Sequence, residues 1–130
     1  MAVGYAETLR NAKLDEITTA IGASGFLDIY DGARPATGGA ITTLLAHLPL
    51  SATFAPAATG GTLTANAISD DTAADASGTA TWFRLTDSGS VFVADGDAGT
   101  AGTELILDDD AIVAGGTVTV NSLVVTAGNA

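Results

Sequence analysis

Residues 79–95 of this protein, TATWFRLTDSGSVFVAD, decide its fold. Two runs rich in β-branched and aromatic residues, 79–86 and 91–95, stand on either side of the turn-forming residues 87–89. This pattern predicts two short strands with a break between them. Within the first run, the large apolar side chains recur at every second position, as they do in a strand with one buried face. The stretch therefore predicts a β-sheet at the centre of the chain.

Both faces of the strand at 79–86 carry large side chains. Phe83 and Leu85 lie on one face, and Trp82 and Arg84 lie on the other. Since only one face of a strand in a sandwich can point to the core, the other face is exposed, covered by an N-terminal helix, or covered by another subunit. Stacking of Arg84 on Trp82 would add only about 1 kcal/mol. We therefore take Trp82 and Arg84 as candidate interface residues.

The same alternation, with Gly, Pro and Asp between the runs, continues on both sides of this stretch. It predicts six further strands, at 26–31, 41–48, 50–55, 62–68, 104–107 and 117–126. Eight short strands at regular spacing after one helix predict a mainly β protein with a β-sandwich over residues 26–127, of which a jelly roll is one variant. Nothing in the sequence indicates a linker, so we expect residues 1–130 to form a single domain.

The N-terminal segment is the one good helix candidate, over residues 5–22. It contains no Gly or Pro before Gly22, a residue that commonly ends helices. Residues at helical spacing place an apolar set on one face, made of Ala6, Leu9, Leu14, Ile17, Ala20 and Ile21. Arg10 and Lys13 fall inside this apolar sector.

Two interpretations of these two cations stay open. Their stems can lie along the edge of the core with the charged heads in water. Alternatively, the face packs on a partner whose carboxylates meet the cations, which makes Arg10, Lys13, Leu14 and Ile17 candidate interface residues.

Composition excludes several classes of function. Fifteen Asp and Glu against four Lys and Arg give a net charge of −11, which argues against nucleic acid and anionic membrane surfaces as partners. The absence of cysteine excludes disulfides and thiolate metal sites, and a single histidine excludes histidine clusters.

Residues 111–130 are uncharged, but their Gly, Thr and Asn content predicts strands and not a membrane helix. The first residues lack the basic and apolar regions of a signal peptide.

Two acidic clusters could in principle bind a hard cation such as Ca²⁺. The first, Asp95 and Asp97, fails the EF-hand pattern, because the sixth position of the loop would be Thr100 and the twelfth Ile106. The second, residues 108–110, has no recognised ligand spacing. Asp beside Gly in a loop more often serves the turn and solubility, so we expect no metal and no cofactor.

Enzymatic activity is not expected either. His47 could act as a general base, but no Gly-x-Ser-x-Gly elbow accompanies it, which favours a strand histidine or one at a subunit contact. Asp70, Asp71 and Asp75 could form a carboxylate pair for glycoside hydrolysis. With one Trp, two Tyr and four Phe in the whole chain, the aromatic material for a sugar cleft is poor. The same shortage weighs against a carbohydrate-binding or adhesin module.

Several segments of the chain resemble, in order, a family of small structural proteins encoded by tailed bacteriophages. They are LRNAKLD at residues 9–15, ITTAIG at 17–22, LDIYDGARP at 27–35, LSATF at 50–54, GTATWFR at 78–84 and the closing GNA at 128–130. The similarity covers nearly the whole chain but carries no chemical signature, so no site residue is transferred from it.

The resemblance implies a virion structural role, since some members of the family look like capsid decoration, or cement, proteins. On that basis the expected partners are the major capsid protein and further copies of this chain, as a homo-oligomer and most simply a trimer. The expected location is the exterior of the capsid, after assembly in the bacterial cytoplasm. A tail or baseplate component is the first alternative.

Overall fold

The computed structural model describes residues 3–127 and contains one helix and nine strands. Helix α1 spans Glu7–Ile21. The strands are β1 (Phe26–Tyr30), β2 (Leu44–Pro49), β3 (Thr62–Thr64), β4 (Gly78–Thr79), β5 (Trp82–Thr86), β6 (Phe92–Gly99), β7 (Leu105–Leu107), β8 (Ala111–Ile112) and β9 (Val120–Thr126). The predicted mainly β fold class, a β-sandwich with one N-terminal helix, is confirmed.

A hairpin of β5 and β6 forms the middle of the main sheet. Its turn is fixed by Asp87, whose Oδ1 accepts the backbone N–H groups of Gly89 and Val91, each at 2.9 Å. Ser90 adopts a left-handed conformation with φ of 61°, which the tight turn requires. The break predicted at residues 87–89 is therefore the turn of this hairpin.

The seven-stranded sheet has the order β2-β1-β5-β6-β7-β9-β3, and β4 and β8 form a small second sheet. Every pair in the main sheet is antiparallel except β6 and β7, which run parallel at residues 98–99 and 105–106. This parallel pair distinguishes the sheet from an all-antiparallel jelly roll. Alternate side chains of most of its strands converge on one apolar core, which includes Leu27, Phe83 and Leu123.

Several expectations about the strands were wrong in detail: the strands predicted at 41–48 and 117–126 begin later, at Leu44 and Val120, the one at 62–68 ends at Thr64, and the one at 91–95 continues to Gly99. Residues 50–55 form no strand; Leu50 and Phe54 are buried from an irregular segment instead. The predicted strand at 79–86 is interrupted at Ala80, whose N–H bonds to the carbonyl of Asp110, so that its first residues join β8 in the small sheet. The β8 strand itself lies in a stretch that the sequence assigned to a loop.

Helix α1 begins at Glu7 and ends before Gly22, which has φ of 73°. Leu14 and Ile21 are buried and Ile17 is partly buried, as the apolar face predicted, but Leu9 is 47% exposed. The predicted face is therefore wrong along one edge, where Ala6, Leu9 and Ala20 are all exposed.

A stripe of polar side chains in the N-terminal half of helix α1 binds residues 58–61. The bonds run from Gly60 N to Glu7 Oε1 at 3.1 Å, from Gly61 N to Asn11 Oδ1 at 2.8 Å and from Ala58 N to Asp15 Oδ1 at 2.8 Å. The three acceptors are spaced four residues apart, so they lie on one helix face. They satisfy backbone N–H groups of a segment that has few strand partners of its own. The stripe, which we call the helix clamp, looked solvent-facing in the sequence.

The C-terminal end of the helix packs closely on the sheet at Gly25. A Cβ atom there would lie 2.3 Å from Cγ2 of Ile21 and 2.6 Å from the carbonyl oxygen of Thr86. Only glycine permits this approach, which places the end of α1 beside the start of the β5–β6 turn.

We expect the helix clamp to contribute measurably to stability. Asp15→Ala leaves the buried N–H of Ala58 without its acceptor, and it should lower the free energy of unfolding by about 1 to 2 kcal/mol. Glu16→Ala is the matched control, because Glu16 is exposed on the same helix, and its effect should stay under about 0.5 kcal/mol. Urea denaturation followed by circular dichroism measures both. Equal effects would show that the clamp contributes nothing specific.

Candidate functional site

The outer face of strands β2, β1, β5 and β6 carries a group of polar and aromatic side chains that contact one another. At its centre Arg84 forms a bidentate ion pair with Asp95, with Nε–Oδ1 at 2.7 Å and Nη2–Oδ2 at 3.0 Å. The two side chains are only 11% and 2% exposed. A paired geometry of this kind is the strong form of a salt bridge.

The same ion pair holds a segment that we call the cover loop, residues 32–43. Arg84 donates to the carbonyl of Gly39 at 2.9 Å, and Asp95 accepts the N–H of Gly38 at 3.0 Å. The ring of Phe92 lies over the guanidinium of Arg84, 5.1 Å from its centroid, and packs 3.6 Å from where a side chain on Gly38 would begin. Gly38 has φ of 73°, a left-handed backbone conformation that favours glycine.

Trp82 lies under the same loop and is fully buried. Its Nε1–H donates to the carbonyl of Asp31 at 3.1 Å and to the hydroxyl of Thr42 at 3.0 Å. Tyr30 stacks on its ring with centroids 4.4 Å apart. The expectation that this face is exposed, or is covered by the helix or another subunit, was wrong: the chain's own cover loop and Tyr30 cover Trp82. A long loop rich in Gly and Ala offered no pattern from which to predict this.

The Arg84–Asp95 pair is part of a row of polar side chains that crosses four strands. His47, Asp28, Arg84 and Asp95 are consecutive cross-strand partners in β2, β1, β5 and β6. His47 Nδ1 contacts Asp28 Oδ1, and its ring stacks on Phe26 at 4.4 Å. Opposite charges directly across a sheet stabilise its register. His47 therefore is a strand histidine, as the sequence favoured.

Two pKa values reflect this environment. The hydrogen bonds that Arg84 donates to Asp95 raise the pKa of Arg84 above its ordinary value, so its charge is permanent. Burial raises the pKa of the Tyr30 phenol, and the carboxylates of Asp28 and Asp95 raise it further, against the opposing effect of Arg84.

The predicted interface residues on the helix divide into two groups. Leu14 and Ile17 face the chain's own core. Arg10 also points inward: its Nη1 lies 3.5 Å from the carbonyl of Ala127, and its Nε is buried without a partner among the described residues. Lys13 is exposed, with its ammonium 4.4 Å from the centre of the Tyr5 ring. Of the four helix candidates, only Lys13 is placed on the outer side of the helix.

Large apolar side chains are exposed at both ends of α1. Val3, Tyr5 and Leu9 are 62%, 37% and 47% exposed beside its N-terminus. Val91 and Phe92 are 61% and 37% exposed at the tip of the β5–β6 hairpin, next to the other end. We call these the N-terminal surface and the hairpin-tip surface. Helix α1 itself, with 15 residues at 1.5 Å each, is about 22 Å long.

The two aspartates of the first acidic cluster take different roles. Asp95 is an internal ion-pair partner, and Asp97 forms an exposed pair with Arg34 at 3.3 Å. Within residues 3–127, no group of three or more His, Asp or Glu side chains is arranged to hold a metal ion. The helix that the structure describes is not long and apolar enough to cross a membrane.

Comparisons with known proteins add no relative. Neither family models, nor curated proteins, nor solved structures match this chain. What can be said of its function therefore rests on its own residues and on the resemblance of its sequence segments.

The burial of the central ion pair predicts unequal effects for two neighbouring aspartates. Asp95→Ala leaves the Arg84 guanidinium buried and unpaired and frees the cover loop, and we expect a loss of about 3 kcal/mol in the free energy of unfolding. Asp97→Ala removes only an exposed pair and should cost less than about 1 kcal/mol. Thermal or urea unfolding of both variants makes the comparison. Similar losses for the two variants would mean that the Arg84–Asp95 pair does not stabilise the cover loop.

The raised pKa of Tyr30 predicts a loss of stability at alkaline pH. The unfolded chain releases the phenolic proton near pH 10, whereas the folded chain retains it to higher pH, so the unfolded state binds fewer protons in that window and is favoured as pH rises. We expect the free energy of unfolding to fall from about pH 10 upward, and the fall to be smaller in Tyr30→Phe. Thermal unfolding between pH 8 and pH 11 measures both proteins. An equal fall in Tyr30→Phe would contradict this assignment.

Proposed function

We propose that this protein is a structural component of a tailed-bacteriophage virion, a capsid decoration protein on the outer head surface. It binds the major capsid protein and other copies of itself, bridges neighbouring capsid subunits, and has no catalytic activity. The resemblance of its sequence segments to small phage structural proteins supports this role. A homo-oligomer, most simply a trimer, is the form that we propose on the particle.

The observation that carries the proposal is the pair of exposed apolar surfaces at opposite ends of α1. A protein that bridges two neighbours needs at least two separate contact surfaces, and exposed apolar clusters are typical of such contacts. The N-terminal surface offers Val3 and Leu9, and the hairpin-tip surface offers Val91 and Phe92. The helix clamp and the close packing at Gly25 fix both ends of the helix to the sheet, so the two surfaces are held at a set separation.

The distribution of charge favours apolar attachment. Arg34 and Arg84 are paired with aspartates of the same chain, and Arg10 reaches the carbonyl of Ala127. With a net charge of −11, the molecule repels an acidic particle surface at long range. Attachment through buried apolar side chains avoids this repulsion and would strengthen as salt screens it.

Cryo-electron microscopy of the virion tests the proposed location. We expect this chain at symmetric positions on the outside of the head, in contact with more than one capsid subunit. Density confined to the tail or baseplate would replace the decoration role with the alternative. Absence of the chain from purified particles, checked by mass spectrometry, would contradict both.

A substitution pair tests the hairpin-tip surface. Val91→Asp should weaken binding to undecorated particles by at least about 10-fold, because it places a charge in an apolar contact; this is about 1.4 kcal/mol. Val113→Asp is the matched control, since Val113 is 66% exposed but lies on the turn after β8. Particle co-sedimentation measures both, and unchanged melting temperatures show that folding is intact. Normal binding by Val91→Asp would remove this surface from the proposal.

A further inference from the structure

Strands β2 and β3 lie at the two ends of the main sheet. A strand at the end of a sheet has backbone N–H and C=O groups on its outer side, and a strand of another molecule can pair with them. Strand β2 has six residues, whereas β3 has three. The outer side of β2 is therefore the longer of the two edges at which copies of this chain could join their sheets.

Alternate residues of β2 direct their backbone groups outward, away from β1. Leu50, just beyond the strand, donates its N–H to the carbonyl of Gly25 on the side of β1, at 3.0 Å. By alternation, the backbone groups of His47 and Pro49 point outward. Since proline has no N–H, the outward donor of this part of the edge is the N–H of His47.

Residues 71–75, which we call the edge cap, occupy the outer side of β2. The Oδ2 of Asp71 accepts the N–H of His47 at 3.1 Å, and the N–H of Asp75 donates to the carbonyl of Leu45 at 2.8 Å. The side chain of Ala74 is buried. The edge cap therefore takes up one donor and one acceptor that a neighbouring strand would need.

Further hydrogen bonds hold the edge cap on its other side. Asp71 and Val118 exchange two backbone bonds, of 3.1 and 2.7 Å. Ala74 exchanges two more with residues 115–116, of 3.0 and 2.8 Å. The Oδ1 of Asp71 also accepts the N–H of Ala73 at 2.9 Å, which orients the carboxylate that meets His47. The edge cap is thus fixed in place by its own backbone.

The opposite end of the sheet is closed in a similar way. Thr62 exchanges both of its outward backbone bonds with Thr59, each at 3.0 Å. Asn66 donates its N–H to the carbonyl of Phe54 and its side-chain amide to the carbonyl of Thr53, each at 2.8 Å. Two separate segments of the chain therefore cover backbone groups at the two ends of one sheet.

We infer that the edge cap is an autoinhibitory contact, which prevents a second copy of this chain from pairing with β2. A second copy is the partner because two β2 strands that pair antiparallel present the same groups to each other and form a closed two-fold contact. Native copies then associate through side-chain surfaces and not by extension of the sheet. This role of the edge cap is independent of the proposed place on a virion.

Removal of the two bonds between the edge cap and β2 tests the inference. Asp71→Ala removes the acceptor of the His47 N–H, and Asp75→Pro removes the N–H that Leu45 accepts. We expect this double variant to self-associate with a dissociation constant at least about 10-fold lower than that of the unchanged protein, measured by sedimentation equilibrium.

Asp70→Ala combined with Asp108→Ala is the matched control. It removes the same number of negative charges from two exposed positions and leaves the edge cap bonded to β2. Its self-association should equal that of the unchanged protein, which separates the loss of the edge cap from the loss of charge repulsion.

Amide exchange of His47, followed by NMR, locates the contact. In the dilute double variant this N–H has lost its acceptor, so it should exchange faster than in the unchanged protein. At high concentration its exchange should slow again by at least about 10-fold, because a strand of the second copy takes up the N–H.

A rescue variant tests the same contact from the side of the donor. His47→Pro, added to the double variant, removes the outward N–H but no bond to β1, since proline is tolerated at such a position of an edge strand. We expect it to return self-association to the level of the control, with circular dichroism to check the fold. If it does not fold, the exchange of the His47 amide decides alone.

Three results would overturn the inference. They are a double variant that associates no more strongly than the control, association that leaves the His47 amide unprotected, and association that persists in a folded His47→Pro variant. None of them bears on whether the chain is found on virions, so this inference and the proposed function fail separately.

Discussion

The ion pair between Arg84 and Asp95 is the interaction on which one whole side of the molecule depends. It joins the two central strands of the sheet, and both of its partners also bond to the cover loop. Trp82 is buried only because that loop lies over it. Burying two charges costs free energy unless their donors and acceptors form hydrogen bonds. Here the carboxylate of Asp95 accepts two hydrogen bonds from the guanidinium of Arg84. By holding the cover loop in place, the pair turns the outer face of the sheet at Trp82 into a second, small core.

The other side of the molecule is organised by polar groups as much as by apolar ones. Helix α1 buries few large side chains, and it is held by carboxylate and amide oxygens that accept backbone N–H groups from residues 58–61. Such bonds need a defined helix position, whereas apolar packing tolerates small shifts. The clamp therefore orients the helix, and with it the exposed residues at its two ends.

The sequence allowed the class of fold and most of the strands to be predicted, because alternation of apolar residues is a local signal. It did not allow the partner of Arg84 to be predicted. That partner depends on the register of β5 with β6, and the register shifts between Leu85 and Thr86; a shift of one residue would have placed Asp95 on the opposite face. The helix face was misassigned near Leu9 for a similar reason, since Asn11 and Asp15 look solvent-facing until the segment they bind is known.

The pairing of β3 with β9 has a consequence for the order in which the chain can fold. Helix α1 packs against β3, and Arg10 reaches Ala127 just beyond β9, so helix α1 completes its contacts only after the much later strand β9 has been synthesised. Contacts of such large separation in sequence slow folding. Until then the early strands have incomplete edges, and the acidic composition of the chain helps to keep nascent copies apart.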